Sequence, residues 1–152
     1  MRIDRKFVVV LGAVIIATVA IGYAATSLTI TNSGIVNVST GANILISTSS
    51  IISTTTCSSS TGPYADSGVS ISSWSLTVSG PPQTIYACVW NNSSTAKTLT
   101  ISGAGFPSGV AFSSTGGGVS VTGGGYQLVS FTLTPSSSAA TGTFSGATIS
   151  IT

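Results

Sequence analysis

Hydrophobic and polar residues alternate along most of the chain after residue 25, and this period of two is typical of strands with one buried face. No segment there repeats its apolar residues at helical spacing over the length of a helix. The pattern therefore predicts an all-β fold. The predicted strands cover residues 28–31, 35–38, 43–47, 51–57, 69–79, 84–91, 97–102, 110–112, 119–122, 126–134 and 143–151.

Short turn sequences rich in Gly, Asn and Pro separate the predicted strands, at 80–82, 91–93, 103–105, 116–118 and 123–125. Strands and turns at this spacing are typical of two packed antiparallel sheets. We therefore expect an immunoglobulin-like β-sandwich over residues 41–152. The side chains expected to face inward are Leu99, Ile101, Val129, Phe131, Leu133, Phe144, Ile149 and Ile151.

The alternation slips by one residue at Ser72-Ser73. Such a slip indicates a bulge or bend, because one extra residue turns every later side chain to the other face. We expect it to direct Trp74, Leu76 and Val78 toward the core.

The N-terminus has the pattern of a secretory signal. Arg2, Arg5 and Lys6 precede an apolar run over 7–25, and Gly22 and Ala24 are the small residues that a signal peptidase inspects. We expect a signal peptide over 1–24, cleaved between Ala24 and Ala25, which leaves 152 − 24 = 128 residues.

Two alternatives keep the apolar run in the final protein. It is nearly as long as the roughly 20 residues that span a bilayer, so it could act as a membrane anchor. It could also be the filament-core helix of a type IV pilin, although the β-type alternation directly after Ala25 does not continue such a helix.

Charge is scarce: 4% of the residues are charged, whereas soluble domains average about a quarter. Four of these residues lie in the first six positions, so Asp66 and Lys97 are the only charged residues after the signal and cancel to zero. This excludes nucleic acid as a main partner, and it limits membrane contact to the signal segment before cleavage. A chain without histidine should also tolerate extremes of pH.

The chain after the signal lacks the groups that ordinary catalysis needs, since it has no His, one carboxylate and one lysine. It offers no zinc or calcium ligand set and no phosphate loop. Two rarer arrangements would use Lys97: a Ser-Lys dyad, or an isopeptide bond to an Asn with Asp66 as catalyst. Lys97 is better explained as a solubilising charge, so we predict no enzyme activity, no cofactor and no metal.

Cys57 and Cys88 are the only cysteines and flank Trp74. In an exported chain they predict one intramolecular disulfide. Two buried free thiols and a bond between subunits are the alternatives.

Three sequons make Asn37, Asn91 and Asn92 candidates for N-glycosylation. Their turn position favours Asn91 and Asn92, although steric hindrance disfavours sugars on both. Sequons also arise by chance in a chain this rich in Ser and Thr.

Three stretches resemble the small surface-filament subunits of thermophilic archaea, the thread and bundling-pilus type. They are SLTITNSGIVNV after the signal, ISSWSLTVSGPPQTIYACVWNNSSTAKTLTISG in the middle, and GTFSGATISIT at the C-terminus. The similarity covers essentially the whole chain after the signal. The bundling pili have in turn been likened to the matrix-fibre proteins of bacterial biofilms.

The resemblance implies an immunoglobulin-like domain that is completed by the N-terminal strand of the next subunit. Residues 25–40 would then be the donor segment in a head-to-tail homopolymer, with Leu28, Ile30, Ile35, Val36 and Val38 as its donor side chains. The alternative is that residues 28–38 form the first strand of their own domain.

We expect a secreted structural subunit of a filament on the cell surface, serving adhesion, cell contact or biofilm, with glycans or other cells as further partners. The competing interpretation is a non-polymerising surface module, held by 7–25 or binding a carbohydrate or S-layer partner. Tyr64, Trp74, Tyr86, Trp90 and Tyr126 include candidates for sugar stacking, although such residues more often pack within a core or on a sheet.

Overall fold

The computed structural model describes residues 27–30, 35–38, 43–47, 56–66, 69–70 and 74–152, with backbone only at 35–38 and 69–70. Within these ranges the only helix is the 3-10 turn Ser59–Thr61. The predicted all-β fold is therefore confirmed. The strands are β1 Ser27–Ile30, β2 Ile35–Val38, β3 Ile44–Ser47, β4 Tyr64–Ala65, β5 Val69–Ser70, β6 Trp74–Thr77, β7 Gln83–Asn91, β8 Lys97–Thr98, β9 Ile101–Ala104, β10 Val110–Thr115, β11 Ser120–Val121, β12 Tyr126–Pro135, β13 Gly142–Phe144 and β14 Thr148–Ile151.

The largest sheet has five antiparallel strands in the order β10-β12-β7-β3-β4. Its centre is the long pair β7 and β12, in register at Val129 and Ala87. In the middle of both strands every second side chain is apolar and belongs to the core or packs against it, as expected for a sheet with one buried face: Ile85, Ala87 and Val89 in β7, and Val129, Phe131 and Leu133 in β12.

The remaining strands form a four-stranded sheet β5-β2-β14-β9, a three-stranded sheet β13-β1-β6 and the short pair β11-β8. The two N-terminal strands are interior strands of their sheets. β1 lies between β13 and β6 in the three-stranded sheet, and β2 lies between β14 and β5 in the four-stranded sheet.

Side chains from all of these sheets meet in one hydrophobic cluster. Of the residues expected to face inward, Leu99, Val129, Phe131, Leu133, Ile149 and Ile151 are buried, and Ile101 and Phe144 pack against them. Trp74 and Leu76 are also buried and Val78 packs beside them, as predicted; the predicted bulge or bend at Ser72-Ser73 lies outside the described residues. Several sheets around one core are consistent with a β-sandwich.

Several predicted strands differ from the structure: residues 143–151 are divided into β13 and β14, and β4 was not predicted. Residues 97–102 are divided into β8 and β9 because Leu99 exchanges backbone hydrogen bonds with Gly118 and Val119. The segment predicted over 51–57 lies mostly outside the described residues, and its last residue, Cys57, is not in a strand. None of the helices in the described part is long and apolar enough to cross a membrane.

Candidate assembly site around the N-terminal strands

The first strand is held on both sides by strands from distant parts of the chain. β1 runs antiparallel to β6, which places Ile30 opposite Trp74. It runs parallel to β13, which places Ile30 beside Phe144. Trp74 follows Ile30 by 74 − 30 = 44 positions and Phe144 follows it by 144 − 30 = 114, so distant parts of the chain supply its neighbours.

The second strand continues the same arrangement in the next sheet. β2 is antiparallel to β5, with Val36 opposite Val69, and parallel to β14, with Val36 beside Ile149. β5 and β6 form one wall and β13 and β14 the other, and no direct strand pairing joins the two walls within the described residues. We call the space between these walls the slot.

Burial of the first strand is complete on one face. The side chains of Leu28 and Ile30 are 0% exposed and belong to the main core cluster. Burying two such side chains stabilises the folded chain by about 3 to 6 kcal/mol, before the entropy cost of ordering the segment. Of the other predicted donor residues, Ile35, Val36 and Val38 lie in β2, where only the backbone is described.

Trp74 forms part of the slot's inner surface. Its side chain is 1% exposed, and its indole Nε1 makes no hydrogen bond within the described residues. This burial removes Trp74 from the candidates for sugar stacking and makes it part of the core that the first strand covers.

Three of the aromatic candidates come together on the outer face of the five-stranded sheet. The rings of Trp90 and Tyr126 are stacked with centroids 5.9 Å apart, and Tyr64 lies 5.8 Å from Trp90 and 5.6 Å from Tyr126. Trp90 and Tyr126 are direct neighbours across β7 and β12. Tyr86 makes no ring contact within the described part of the chain.

The polar atoms of Tyr64 and Trp90 are turned to the protein. The Tyr64 hydroxyl donates to the Ser58 carbonyl at 2.8 Å and lies 2.6 Å from the Thr61 hydroxyl oxygen. Burial raises the pKa of Tyr64 above its usual value of 10.0. The Trp90 Nε1 is buried without a hydrogen-bond partner in the described residues. The cluster therefore packs the loop around residues 58–61 against the sheet.

The same loop carries the disulfide. Cys57 is bonded to Cys88, with Cα atoms 5.5 Å apart, which confirms the predicted pairing and excludes free thiols at these positions. The bond ties the loop to β7, the central strand of the five-stranded sheet. Closing a loop with a sequence separation of 31 contributes about 3 to 4 kcal/mol by the chain-entropy estimate.

Asn91, a predicted glycosylation site, is fully buried at the end of β7. Its amide Nδ2 donates to the carbonyls of Thr95 at 2.8 Å, Val121 at 2.9 Å and Thr122 at 3.2 Å. Its Oδ1 accepts from the backbone and hydroxyl of Ser93. A sugar on Nδ2 would disrupt this network, so the position of Asn91 disfavours glycosylation there.

The other two sequons differ in position. Asn92 is exposed, and its backbone N–H donates to the Asn43 carbonyl at 2.7 Å. Asn37 lies in β2 beside Ser150 of β14. Glycosylation of Asn92 or Asn37 stays a prediction.

The predicted signal peptide and its cleavage point at Ala24 and Ala25 lie outside the described residues. Within the described part, no group of three or more His, Cys, Asp or Glu side chains could hold a metal ion. Comparison of the chain with protein-family models, with curated proteins and with solved structures found no match.

Proposed function

We propose that this chain is a structural subunit of an extracellular filament, in which the N-terminal segment of one copy fills the slot of the next copy. The observation that carries the proposal is the two-sided pairing of β1 and β2 between walls that do not pair with each other in the described structure. Removing the segment would leave an open hydrophobic slot that an identical segment fits.

The segment's place in the sequence supports exchange between copies. It lies before β3, and in this proposal residues 1–24 have been removed, so the segment leaves the slot without threading through another loop. Another copy's segment would restore the same hydrogen bonds and bury the same Leu28 and Ile30 side chains. Exchange that runs head to tail, without closing into a ring, produces a filament.

The neutral surface also supports repeated association. After the predicted signal, the sequence contains one acidic and one basic residue, Asp66 and Lys97. Copies therefore have little charge with which to repel one another. In this proposal the completed domain is an immunoglobulin-like sandwich, and residues 25–40 are its donor segment.

Location outside the cell is part of the proposal. The Cys57–Cys88 disulfide is typical of oxidising compartments, and the first 24 residues have the pattern of an export signal. On a cell surface the filament would serve adhesion, cell contact or biofilm.

A cysteine pair placed across the slot tests the exchange. Ser27 and Thr77 are opposite each other in β1 and β6, and both are exposed. The Ser27→Cys, Thr77→Cys double variant is made as the full chain, and the exported protein is oxidised mildly. It is then denatured and separated by size without reductant. Exchange between copies predicts a ladder of covalent multimers, because each bond joins two chains.

The matched controls are the two single variants, which can form nothing larger than a disulfide-linked dimer. A double variant that runs as an internally bonded monomer, with no ladder, would contradict the filament.

That second outcome would favour a non-polymerising surface module. The observation behind this second candidate is that the slot of a single chain is filled by its own β1 and β2. The same cysteine pair therefore distinguishes the two functions.

A further inference from the structure

Strand β10 is an open edge of the five-stranded sheet. Its six residues pair with β12 from Val110 opposite Pro135 to Thr115 opposite Ser130, and with no other strand in the described structure. Such an edge can accept a further strand through its outward backbone groups.

The register shows which groups point outward. The Ser136 N–H donates to the Gly109 carbonyl at 2.8 Å, so these two residues form a hydrogen-bonded pair. Along an antiparallel ladder, hydrogen-bonded pairs alternate with non-hydrogen-bonded pairs. Ala111, Ser113 and Thr115 are therefore the residues of β10 that form hydrogen-bonded pairs with β12. Phe112 and Ser114 therefore direct their N–H and C=O groups away from β12.

Three of the usual protections of an open edge are absent from β10. Its sequence, VAFSST, has no charge and no proline, and its ladder with β12 is continuous, with no bulge. By contrast, β6 is partly covered, because the Gln83 side chain donates to the Ser75 carbonyl, and β4 and β5 are only two residues long.

We propose that β10 is an interaction surface for a second copy of the chain, formed by antiparallel pairing of β10 with β10 about a two-fold axis at Ser113. In this register Phe112 of each copy lies opposite Ser114 of the other. Each such pair exchanges two hydrogen bonds, so four bonds use both outward N–H groups and both outward carbonyls of each copy.

The side chains on the exposed face suit this register. Ser113 lies opposite Ser113 of the second copy, and Ala111 lies opposite Thr115. All three are exposed, small and uncharged. Like strands therefore approach without charge repulsion, which would penalise a strand carrying lysine. A two-fold contact of this kind is self-complementary and needs no other partner.

The surface is separate from the slot, because β10 belongs to the five-stranded sheet and the slot lies within the other two larger sheets. The inference goes beyond the proposed exchange: it adds a lateral contact between chains, and in a filament between filaments. A four-bond contact is weak between single chains, and repetition along two filaments would strengthen it by avidity.

Disulfide trapping tests this register. A Ser113→Cys variant places its thiol opposite the identical thiol of the second copy, at a non-hydrogen-bonded pair where the side chains are closest. We expect the covalent dimer to form about tenfold or more faster than in the Ala111→Cys variant, since pairing raises the effective thiol concentration only at the axis. Ala111 is a matched control because it is exposed on the same face of the same strand.

A second variant tests the backbone ladder itself. Ser114→Pro removes an outward N–H without removing a bond to β12, which proline at a sheet edge permits. In the Ser113→Cys background it should abolish the rate advantage, while circular dichroism and the melting temperature confirm the fold. Equal rates for Ser113→Cys and Ala111→Cys, or an advantage that survives Ser114→Pro, would overturn the proposal. Ser114→Pro should leave the ladder from the Ser27 and Thr77 cysteine pair intact, so failure of one proposal is distinguishable from failure of the other.

Discussion

At the scale of single residues, Asn91 shows how a polar side chain can organise the end of a sheet. Its amide reaches the carbonyls of Thr95 on one side and of Val121 and Thr122 on the other. It thereby joins the turn after β7 to the segment that precedes β12. A buried polar group is acceptable only when its hydrogen bonds are made, and Asn91 makes them at both its oxygen and its nitrogen.

Replacing this amide should be costly. Asn91→Ala leaves the buried Val121 carbonyl without its donor, so we expect the free energy of unfolding to fall by about 2 to 3 kcal/mol. Denaturant unfolding measures the change. The control is Asn92→Ala, whose side chain is exposed and should change stability by less than about 0.5 kcal/mol. Equal effects of the two variants would contradict the structural role of Asn91.

At the scale of elements, the alternation predicted which residues face the core, but it could not predict strand partners. A period of two places Leu28 and Ile30 on one face of a strand, but it does not specify which strands pair with that strand. The place of β1 between β6 and β13 depends on contacts far along the chain. The disulfide was predictable because the chain has two cysteines only.

Other features left a weak sequence signal or none. Strand β10 extends to Thr115, beyond the predicted end at 112. The extension was not predictable because Ser113-Ser114-Thr115 has no hydrophobic alternation; these residues belong to the strand because they pair with β12. The buried role of Asn91 was hidden by its sequon. Its position just before the turn at 92–95 is the one signal that could have indicated a capping side chain.

The first strand should control the exposure of Trp74. In a Trp90→Phe background, which leaves Trp74 as the only tryptophan, Ile30→Asp would place a charge in the buried position opposite Trp74. We expect β1 to leave the slot, because an unpaired buried charge is unfavourable. Trp74 emission should then shift to longer wavelength.

The control is Ser27→Asp, which adds the same charge at an exposed position of β1 and should leave the emission unchanged. A synthetic peptide of residues 25–40 should restore the short-wavelength emission if the rest of the domain stays folded. Unchanged emission in Ile30→Asp would show that β1 does not cover Trp74.

At the scale of the whole molecule, the scarcity of charge leaves few groups whose titration could change stability near neutral pH. The sequence has no histidine, the one side chain whose ordinary charge change falls between pH 5 and 8. We therefore expect the free energy of unfolding to vary by less than about 1 kcal/mol between pH 5 and 9. Denaturant unfolding across this range measures it, and a large change would reveal a titrating group that the sequence does not supply.

At high pH, we expect the ionisation of Tyr64 to lower the free energy of unfolding. Burial raises the pKa of Tyr64 in the folded chain above its usual value of 10.0. The unfolded chain therefore loses this proton first, and the stabilisation, complete below pH 10, is lost as pH rises through the folded pKa. Tyr64→Phe should remove this alkaline dependence, at the cost of the hydrogen bond to Ser58. Tyr86→Phe, which leaves Tyr64 in place, should retain it.

The parallel pairing of the first and last strands also determines how the molecule responds to force. β1 and β2 run in the same direction as β13 and β14, with Leu28 beside Gly142 and Val38 beside Ile151. Pulling the two ends of the chain apart would slide these neighbours past each other in shear. The hydrogen bonds along both strands would then bear the load together, so the domain should resist tension better than a hairpin that unzips one bond at a time.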